Sequence, residues 1–231
     1  MLNASEPHGV VVACHGYRAN RLQLLEIAQR LSQRGYVVLL FDLRGHGTRR
    51  GACSFGLRDV KDIGLILDWV KRQPSLASLP VGLFGLSLGG AIACQAAVRY
   101  PDVRAIAADA MYARLFPILA RAIRREYHLP AIPGAWMTWL GVQIALRRRL
   151  SSVDPVVLAS RLHCPILLMH GAEDESVPVE DAQALYAAWQ GPKDQWIEPA
   201  VGHVGMYAYD PAGYCDRVAT FFDRWLTRPS R

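Results

Sequence analysis

The sequence predicts an α/β fold with a doubly wound, mostly parallel sheet, and three observations lead to this prediction. Short apolar segments alternate along the chain with longer segments whose apolar residues recur at helical spacing. The short segments do not alternate polar and apolar residues, which is typical of strands buried on both faces. The turn Gly85-Leu86-Ser87-Leu88-Gly89 joins one of these strands directly to an alanine-rich helix. Alternating strands and helices predict a sheet covered by helices on both sides.

Six strands are predicted, most of them as short apolar runs next to a glycine, a proline or a polar turn. The first is a β-branched run that ends at His15 and Gly16, and the third leads into Ser87. The predicted strands cover residues 10–14, 36–41, 81–84, 103–108, 165–170 and 195–199.

The helices between these strands are predicted from amphipathic spacing and from alanine-rich composition. They cover residues 22–34, 59–73, 87–99, 180–189 and 212–226. Residues 111–150 are predicted to form a short helical cap inserted after the fourth strand, because apolar residues recur there at helical spacing in two stretches. The first stretch has Leu115, Leu119 and Ile123, and the second has Trp136, Trp139, Leu140 and Ile144.

Length and composition indicate one globular domain over residues 1–231. The chain has 52% hydrophobic and 20% charged residues, which excludes a disordered protein. No apolar run is long enough to span a bilayer. The polar N-terminal segment does not resemble a signal peptide. The five cysteines are odd in number and lack a C-x-x-C pair, which argues against a disulfide framework and a zinc site, so we expect a cytoplasmic protein.

The excess positive charge is confined to the predicted cap. The chain carries a formal net charge of +6, and seven arginines with one acid in residues 111–150 account for all of it. One interpretation is a solvated rim on helices that pack down on the core. Another is a basic amphipathic lid that rests on an anionic membrane or recognises an acyl substrate. Nucleic-acid binding is not expected, because no nucleic-acid-binding module accompanies the charge.

Reactive side chains follow several of the predicted strands. Ser87 follows the third strand, the carboxylates of Glu173, Asp174 and Glu175 follow the fifth, and His203 follows the sixth. Because ligands of such sheets bind at the carboxyl ends of the strands, we expect these groups to lie at one edge.

A serine at this turn has two interpretations. It can cap the helix that follows, or it can be a nucleophile held at a strained turn with its hydroxyl exposed. A serine nucleophile needs a base to take its proton and an acid to orient that base. The chain order Ser87, Asp174, His203 is the order expected for this fold. The N–H groups of Leu88 and Tyr17 are the candidate donors of an oxyanion hole.

The motifs HGYRAN, DLRGHG, GLSLGG, HGAEDESVP and VGH occur in this order along the chain. Together they resemble the α/β-hydrolase superfamily, and within it the branch that is similar to serine aminopeptidases and monoglyceride lipases. The resemblance implies Ser87 as nucleophile, Asp174 as the acid and His203 as the base, with Tyr17 and Leu88 as oxyanion donors. It also implies a member that is compact at its N-terminus, because the chain starts close to the strand that carries HGYRAN.

The predicted function is hydrolysis of carboxylic esters of short- to medium-chain acids through an acyl-enzyme. The alternatives are a peptidase or amidase, a lysophospholipid or monoacylglycerol lipase, and a catalytically silent binding protein with the same fold. We expect no cofactor and no metal, since the sequence has neither a glycine-rich phosphate loop nor clustered metal ligands. The candidate substrate-binding residues of the cap are Met111, Leu115, Trp136 and Trp139.

Overall fold

The computed structural model of the chain describes residues 1–4, 6–128 and 130–226. One parallel sheet runs through this part, with the strand order β2-β1-β3-β4-β5-β6. The strands are β1 Gly9–Cys14, β2 Tyr36–Leu40, β3 Val81–Leu86, β4 Val103–Asp109, β5 Ile166–Gly171 and β6 Lys193–Glu198. All six predicted strands are present, with ends that differ by one or two residues from the predicted ones.

In the described part of the chain, one α-helix lies between most successive strands, three lie between β4 and β5, and two follow β6. They are α1 Leu25–Gln33, α2 Asp59–Arg72, α3 Leu88–Arg99, α4 Leu115–Tyr127, α5 Trp136–Leu146, α6 Pro155–Ala159, α7 Val179–Ala188, α8 Met206–Tyr209 and α9 Pro211–Leu226. The first predicted helix, at residues 22–34, begins differently. Its first turn is a 3-10 helix over Arg21–Leu24, because the side chain of Asn20 accepts the N–H of Leu22 and caps the chain there.

The sheet has an apolar layer on each face, as predicted. Along β1, Val10 and Val12 pack into the layer formed with α2 and α3. Val11 and Ala13 pack into the opposite layer with α1 and α9. Successive side chains of a strand point to opposite faces, so a strand buried on both faces is apolar at every position. The prediction of a doubly wound α/β fold is confirmed.

One pairing outside the six strands is antiparallel. Leu2 and Val38 form an isolated bridge in which each N–H donates to the other residue's carbonyl at 3.0 Å. Residues near the start of the chain therefore pair with β2, the strand at one edge of the sheet. The prediction of a single domain over residues 1–231 also includes residues 5, 129 and 227–231, which lie outside the described residues, and it stays a prediction.

The cap segment, residues 111–150, leaves the sheet after β4 and returns before α6. It contains α4, a π-helical turn over Ala131–Ala135, and α5. None of the helices in the described part of the chain is both long enough and apolar enough to cross a membrane.

The strand order determines where a ligand can bind. The chain moves from β1 to β2 in one direction across the sheet, and then from β3 to β6 in the other. The loops that follow the carboxyl ends of β1 and β3 therefore run in opposite directions and leave a crevice between them. Doubly wound sheets bind their ligands in such a crevice. Gly16 and Tyr17 follow β1, and Ser87 follows β3.

Candidate active site

Ser87 lies at a sharp turn between β3 and α3. Its backbone has φ 49° and ψ −112°, a region that residues other than glycine rarely adopt. A Cβ atom at Gly85 would collide with the backbone of Gly89, and one at Gly89 would collide with the carbonyl of Cys14. The two glycines therefore allow α3 to start close against β1 and β3. The side chain of Ser87 makes no capping hydrogen bond to its helix, which counts against the interpretation of this serine as a simple cap.

Asp174 is buried between two histidine rings. Its Oδ2 lies 2.6 Å from Nδ1 of His203 and 3.6 Å from Nε2 of His170. Its Oδ1 accepts the backbone N–H groups of Ser176 and Val177, each at 2.8 Å. Because both oxygens are engaged, the carboxylate has one orientation and favours a proton on Nδ1 of His203. The Nε2 atom of His203 is then available as a base.

The other two carboxylates of this loop do not take the place of Asp174. Glu173 and Glu175 are exposed, whereas Asp174 is buried. Of the three, Asp174 is the one whose side chain contacts a histidine. His170, which ends β5, hydrogen-bonds the carbonyl of Val177 at 2.8 Å and supports the same loop.

Ser87 and His203 line a common cavity of about 280 Å³, together with Gly16 and Tyr17. We call it the arginine cavity, because Arg18, Arg121 and Arg125 are also in its wall. The side chain of His203 keeps 30% of its exposure and is thus accessible from this cavity. The sheet therefore brings residues from three separate strand ends to one solvent-accessible space.

The candidate oxyanion donors lie on either side of Ser87. Leu88 is the first residue of α3, and the first N–H groups of a helix have no partner within that helix. Tyr17 follows β1, beside Ser87 in the wall of the same cavity. The dipole of α3 adds to the positive potential at this point.

The loop that carries Tyr17 is fixed by His15. The N–H of Leu43 donates to Nε2 of His15 at 3.0 Å, so the ring's own proton is on Nδ1 and donates to the carbonyl of Gly16 at 2.7 Å. Burial lowers the pKa of His15, which keeps the ring neutral. His15 therefore joins the loops after β1 and β2 and shapes the site.

A comparison with known protein families identifies the family of this chain. The model of the family described as serine aminopeptidase, S33, matches residues 5–156, which include the turn at Ser87. The chain belongs to this family. The family lies within the α/β-hydrolase superfamily, so the predicted membership of that superfamily and branch is confirmed.

Two bacterial relatives align with nearly the whole hydrolase. The uncharacterized protein YqkD of Bacillus subtilis is 27% identical over 223 residues, which cover 94% of this chain and 73% of YqkD. The uncharacterized protein Rv2307c of Mycobacterium tuberculosis is 29% identical over 212 residues, covering 91% of this chain and 68% of Rv2307c. Among solved structures, the esterase Pf2001 of Pyrococcus furiosus superposes with a TM-score of 0.77 at 23% identity, over 95% of this chain and 84% of that chain. This likeness shows a shared fold.

The hydrolase has a second cavity beside Ser87, with a different chemistry. It measures about 550 Å³ and includes Ser87 and Leu88 in its wall. We call it the apolar cavity, because most of its other lining side chains are hydrophobic: Phe55, Tyr112, Leu115, Ile118, Leu119, Ile123 and Val142. The predicted face of Leu115, Leu119 and Ile123 on α4 thus forms a wall of this cavity. An apolar space beside a polar reactive group is typical of a small-molecule site.

Of the four candidate substrate-binding residues in the cap, Leu115 alone lines either of these two cavities. Met111 is buried and packs below Gly90, with 3.1 Å between its Cβ and the position of a Cβ at Gly90. Trp139 packs edge-on against Phe116, with 5.3 Å between ring centroids. Trp136 is 55% exposed. The structure therefore does not place Met111, Trp136 or Trp139 in the wall of either cavity.

Sequence reasoning missed a buried carboxyl next to this site. Asp109 ends β4, and its side chain is buried, with Oδ2 accepting the hydroxyl of Tyr214 at 3.1 Å. Its Oδ1 has no hydrogen-bond partner among the described residues. Burial raises the pKa of Asp109 to about 7; the hydrogen bond from Tyr214 and the nearby His203 lower this pKa by less, and Asp174 raises it further. The signal in the sequence was an acid directly after an apolar strand, but the strand was predicted to end at Ala108.

The base of the cap is held by two more carboxyl groups. Asp154 accepts the N–H of Leu115 at 2.9 Å, and Asp181 accepts the N–H of Ala113 at 3.0 Å. Burial raises the pKa of both acids. They satisfy backbone donors where the chain turns from β4 into α4, and so set the position of α4 over Ser87.

Proposed function

We propose that this hydrolase cleaves carboxylic esters, with Ser87 as nucleophile, His203 as base and Asp174 as the acid that orients the base. Two observations together carry the proposal. Asp174 contacts Nδ1 of His203 at 2.6 Å, and His203 and Ser87 line the same cavity. The strained backbone of Ser87 and the free helix start at Leu88 support the same assignment.

In the proposed reaction, the hydroxyl oxygen of Ser87 attacks the ester carbonyl while Nε2 of His203 takes its proton. The N–H groups of Leu88 and Tyr17 stabilise the oxyanion of the tetrahedral intermediate. His203 returns the proton to the leaving alcohol, and an acyl-enzyme remains on Ser87. Water, activated by His203, then releases the acid and restores the enzyme.

The same three residues would also serve an amidase or a peptidase, and the charge of the arginine cavity distinguishes an ester from an aminopeptidase substrate. An aminopeptidase must hold the free ammonium group of its substrate near the nucleophile. The arginine cavity is lined by three arginines and two glutamates, and one glutamate, Glu126, is paired with Arg18 at 2.7 Å. A cationic wall repels an ammonium group, which supports an ester over an aminopeptidase substrate.

The test is a comparison of the wild type with Ser87→Ala. We expect wild-type protein to hydrolyse 4-nitrophenyl butyrate and to react with a fluorophosphonate probe, and the variant to do neither while its circular dichroism spectrum is unchanged. Amino-acid arylamides, assayed beside esters of matched size, decide between the two reactions. Absence of probe labelling in the wild type would support a catalytically silent fold.

We also propose that the cap segment contacts anionic membrane surfaces. Four apolar side chains of α5 are exposed: Trp136, Met137, Leu140 and Ile144. Arg147, Arg148 and Arg149 follow directly. An exposed apolar face next to a cluster of cations is typical of a helix that lies in a lipid interface. This contact would bring the site close to lipid-like esters.

A further inference from the structure

The two cavities beside Ser87 share part of their walls, including Ile118 and Glu126, and differ in the side chains that α4 adds to each. The apolar cavity holds the hydrophobic face of α4, whereas the arginine cavity holds Arg121 and Arg125 from the same helix. Arg121 and Arg125 are four residues apart, so they lie on one side of α4, one turn from each other. The ion pair between Arg18 and Glu126 lies in the walls of both cavities and marks their junction.

The proposed reaction, on which this inference rests, determines which part of the ester enters which cavity. The oxygen of the leaving alcohol must lie within hydrogen-bond reach of the base that protonates it. His203 lines the arginine cavity and, among the described residues, is absent from the wall of the apolar cavity. The alcohol part therefore enters the arginine cavity. The acyl part is left with the apolar cavity, beside Leu88.

The charges around the alcohol part do not cancel. Glu126 is paired with Arg18, which leaves Glu175 as the second acid in the wall, against Arg121 and Arg125. Arg125 donates from Nη1 to the hydroxyl of Ser176 at 3.1 Å. Because this hydroxyl is neutral, the contact does not neutralise the positive charge of Arg125. Within the described part of the chain, neither Arg121 nor Arg125 lies within 4 Å of a carboxylate, although Arg121 is near enough to Asp181 to oppose the rise in the pKa of that acid. The wall that faces the alcohol is thus cationic.

We propose that the preferred substrates are esters of an apolar acid with an anionic alcohol, whose phosphate or carboxylate is bound by Arg121 and Arg125. A guanidinium group presents paired donors that match the oxygens of phosphate and carboxylate, which makes arginine suited to either. Arg121 and Arg125 determine specificity, and the chemistry of ester cleavage stays with Ser87 and His203.

The experiment compares four hexanoate monoesters that differ in the charge of the alcohol. The alcohols are glycerol, glycerol 3-phosphate, glycerate and choline, and released hexanoate is measured at low and high ionic strength. Wild-type kcat/KM should be roughly 5-fold to 10-fold higher for an anionic alcohol than for glycerol at low salt, and lowest for choline. The difference should shrink near 1 M salt, where charges are screened within about 3 Å. The phosphate and carboxylate arms identify which anion is preferred.

The variant is Arg121→Gln with Arg125→Gln, and the matched control is Arg148→Gln with Arg149→Gln. Both pairs remove the same charge from the cap segment, but the control arginines line neither cavity. We expect the ratio of anionic to neutral kcat/KM to fall to about 1 in the variant and to persist in the control. Equal rates for all four esters in the wild type, or a ratio lowered only by the control, would overturn this inference and leave the ester hydrolase standing. No hexanoate from any ester would overturn both.

Discussion

The backbone carbonyl of Asp109 accepts a hydrogen bond from the N–H of Ser87, with 2.8 Å between oxygen and nitrogen. The end of β4 therefore supports the strained turn after β3 directly. The carboxyl of the same residue is buried against Tyr214. The backbone of Asp109 thus contacts the turn of the predicted nucleophile, and its ionisable side chain is buried.

The buried carboxyl of Asp109 should make the free energy of unfolding depend on pH. Burial raises its pKa from 3.8 to about 7, so the folded state holds this proton more tightly than the unfolded state. The free energy of unfolding should then fall as pH rises through this range, by roughly 3 kcal/mol between pH 5 and pH 8. Asp109→Asn keeps an acceptor for Tyr214 but cannot ionise. The free energy of unfolding of this variant should therefore fall by about 3 kcal/mol less between pH 5 and pH 8 than that of the wild type.

Urea unfolding at both pH values checks this prediction, with wild type and variant measured side by side. Asp154 and Asp181, whose pKa values burial also raises, contribute the same sign in both proteins. The difference between the two slopes therefore isolates Asp109. Identical slopes would show that Asp109 does not hold its proton near neutral pH.

Replacing Asp174 should reduce the rate of ester hydrolysis. In Asp174→Asn the carboxylate that orients His203 at 2.6 Å is lost. We expect kcat to fall on the order of 10⁴-fold, since the amide favours the wrong tautomer of the imidazole. The matched control is Glu173→Gln, an exposed neighbour, which should stay within about 2-fold. A larger loss in the control than in Asp174→Asn would reassign the acid.

The apolar cavity should limit the length of the acyl chain. Leu119 lines this cavity from α4, so Leu119→Trp should reduce its free volume. The ratio of kcat/KM for 4-nitrophenyl hexanoate to that for the acetate should fall by roughly 10-fold, because one or more methylene groups lose their apolar contacts. Ile144→Trp, at an exposed position of α5, should leave the ratio unchanged. An unaltered ratio in Leu119→Trp would place the acyl chain elsewhere.

Membrane contact should depend on the exposed face of α5. Vesicles of phosphatidylcholine with phosphatidylglycerol should sediment the wild type, and those of phosphatidylcholine alone should not, since cations next to an apolar face prefer anionic lipid. Trp136→Ser with Ile144→Ser should abolish sedimentation. Leu65→Ser, at an equally exposed position on α2, is the control. Equal recovery with both vesicle types, or with neither, would refute the proposal.

The sequence by itself determined the sheet and the chain positions of the reactive groups. Strands β1 to β5 are largely apolar local runs, whereas β6 is mostly polar, and polar residues at a strand's end are visible without knowing what the strand pairs with. That is why Ser87, Asp174 and His203 can all be named as candidates from the sequence.

Only the tertiary structure decided what surrounds Ser87. Helical spacing shows an apolar face on α4, whereas α5 is apolar on nearly every side, and the direction in which either helix turns these side chains depends on packing against distant elements. In the folded protein Leu119 lines the apolar cavity, whereas Trp136 is exposed to solvent. Asp109 likewise appears as a strand end in the sequence, whereas its burial against Tyr214 depends on a helix more than a hundred residues away. Local patterns specify secondary structure, and cavities form where separate elements meet, so the division into an apolar and an arginine cavity could not be predicted from spacing.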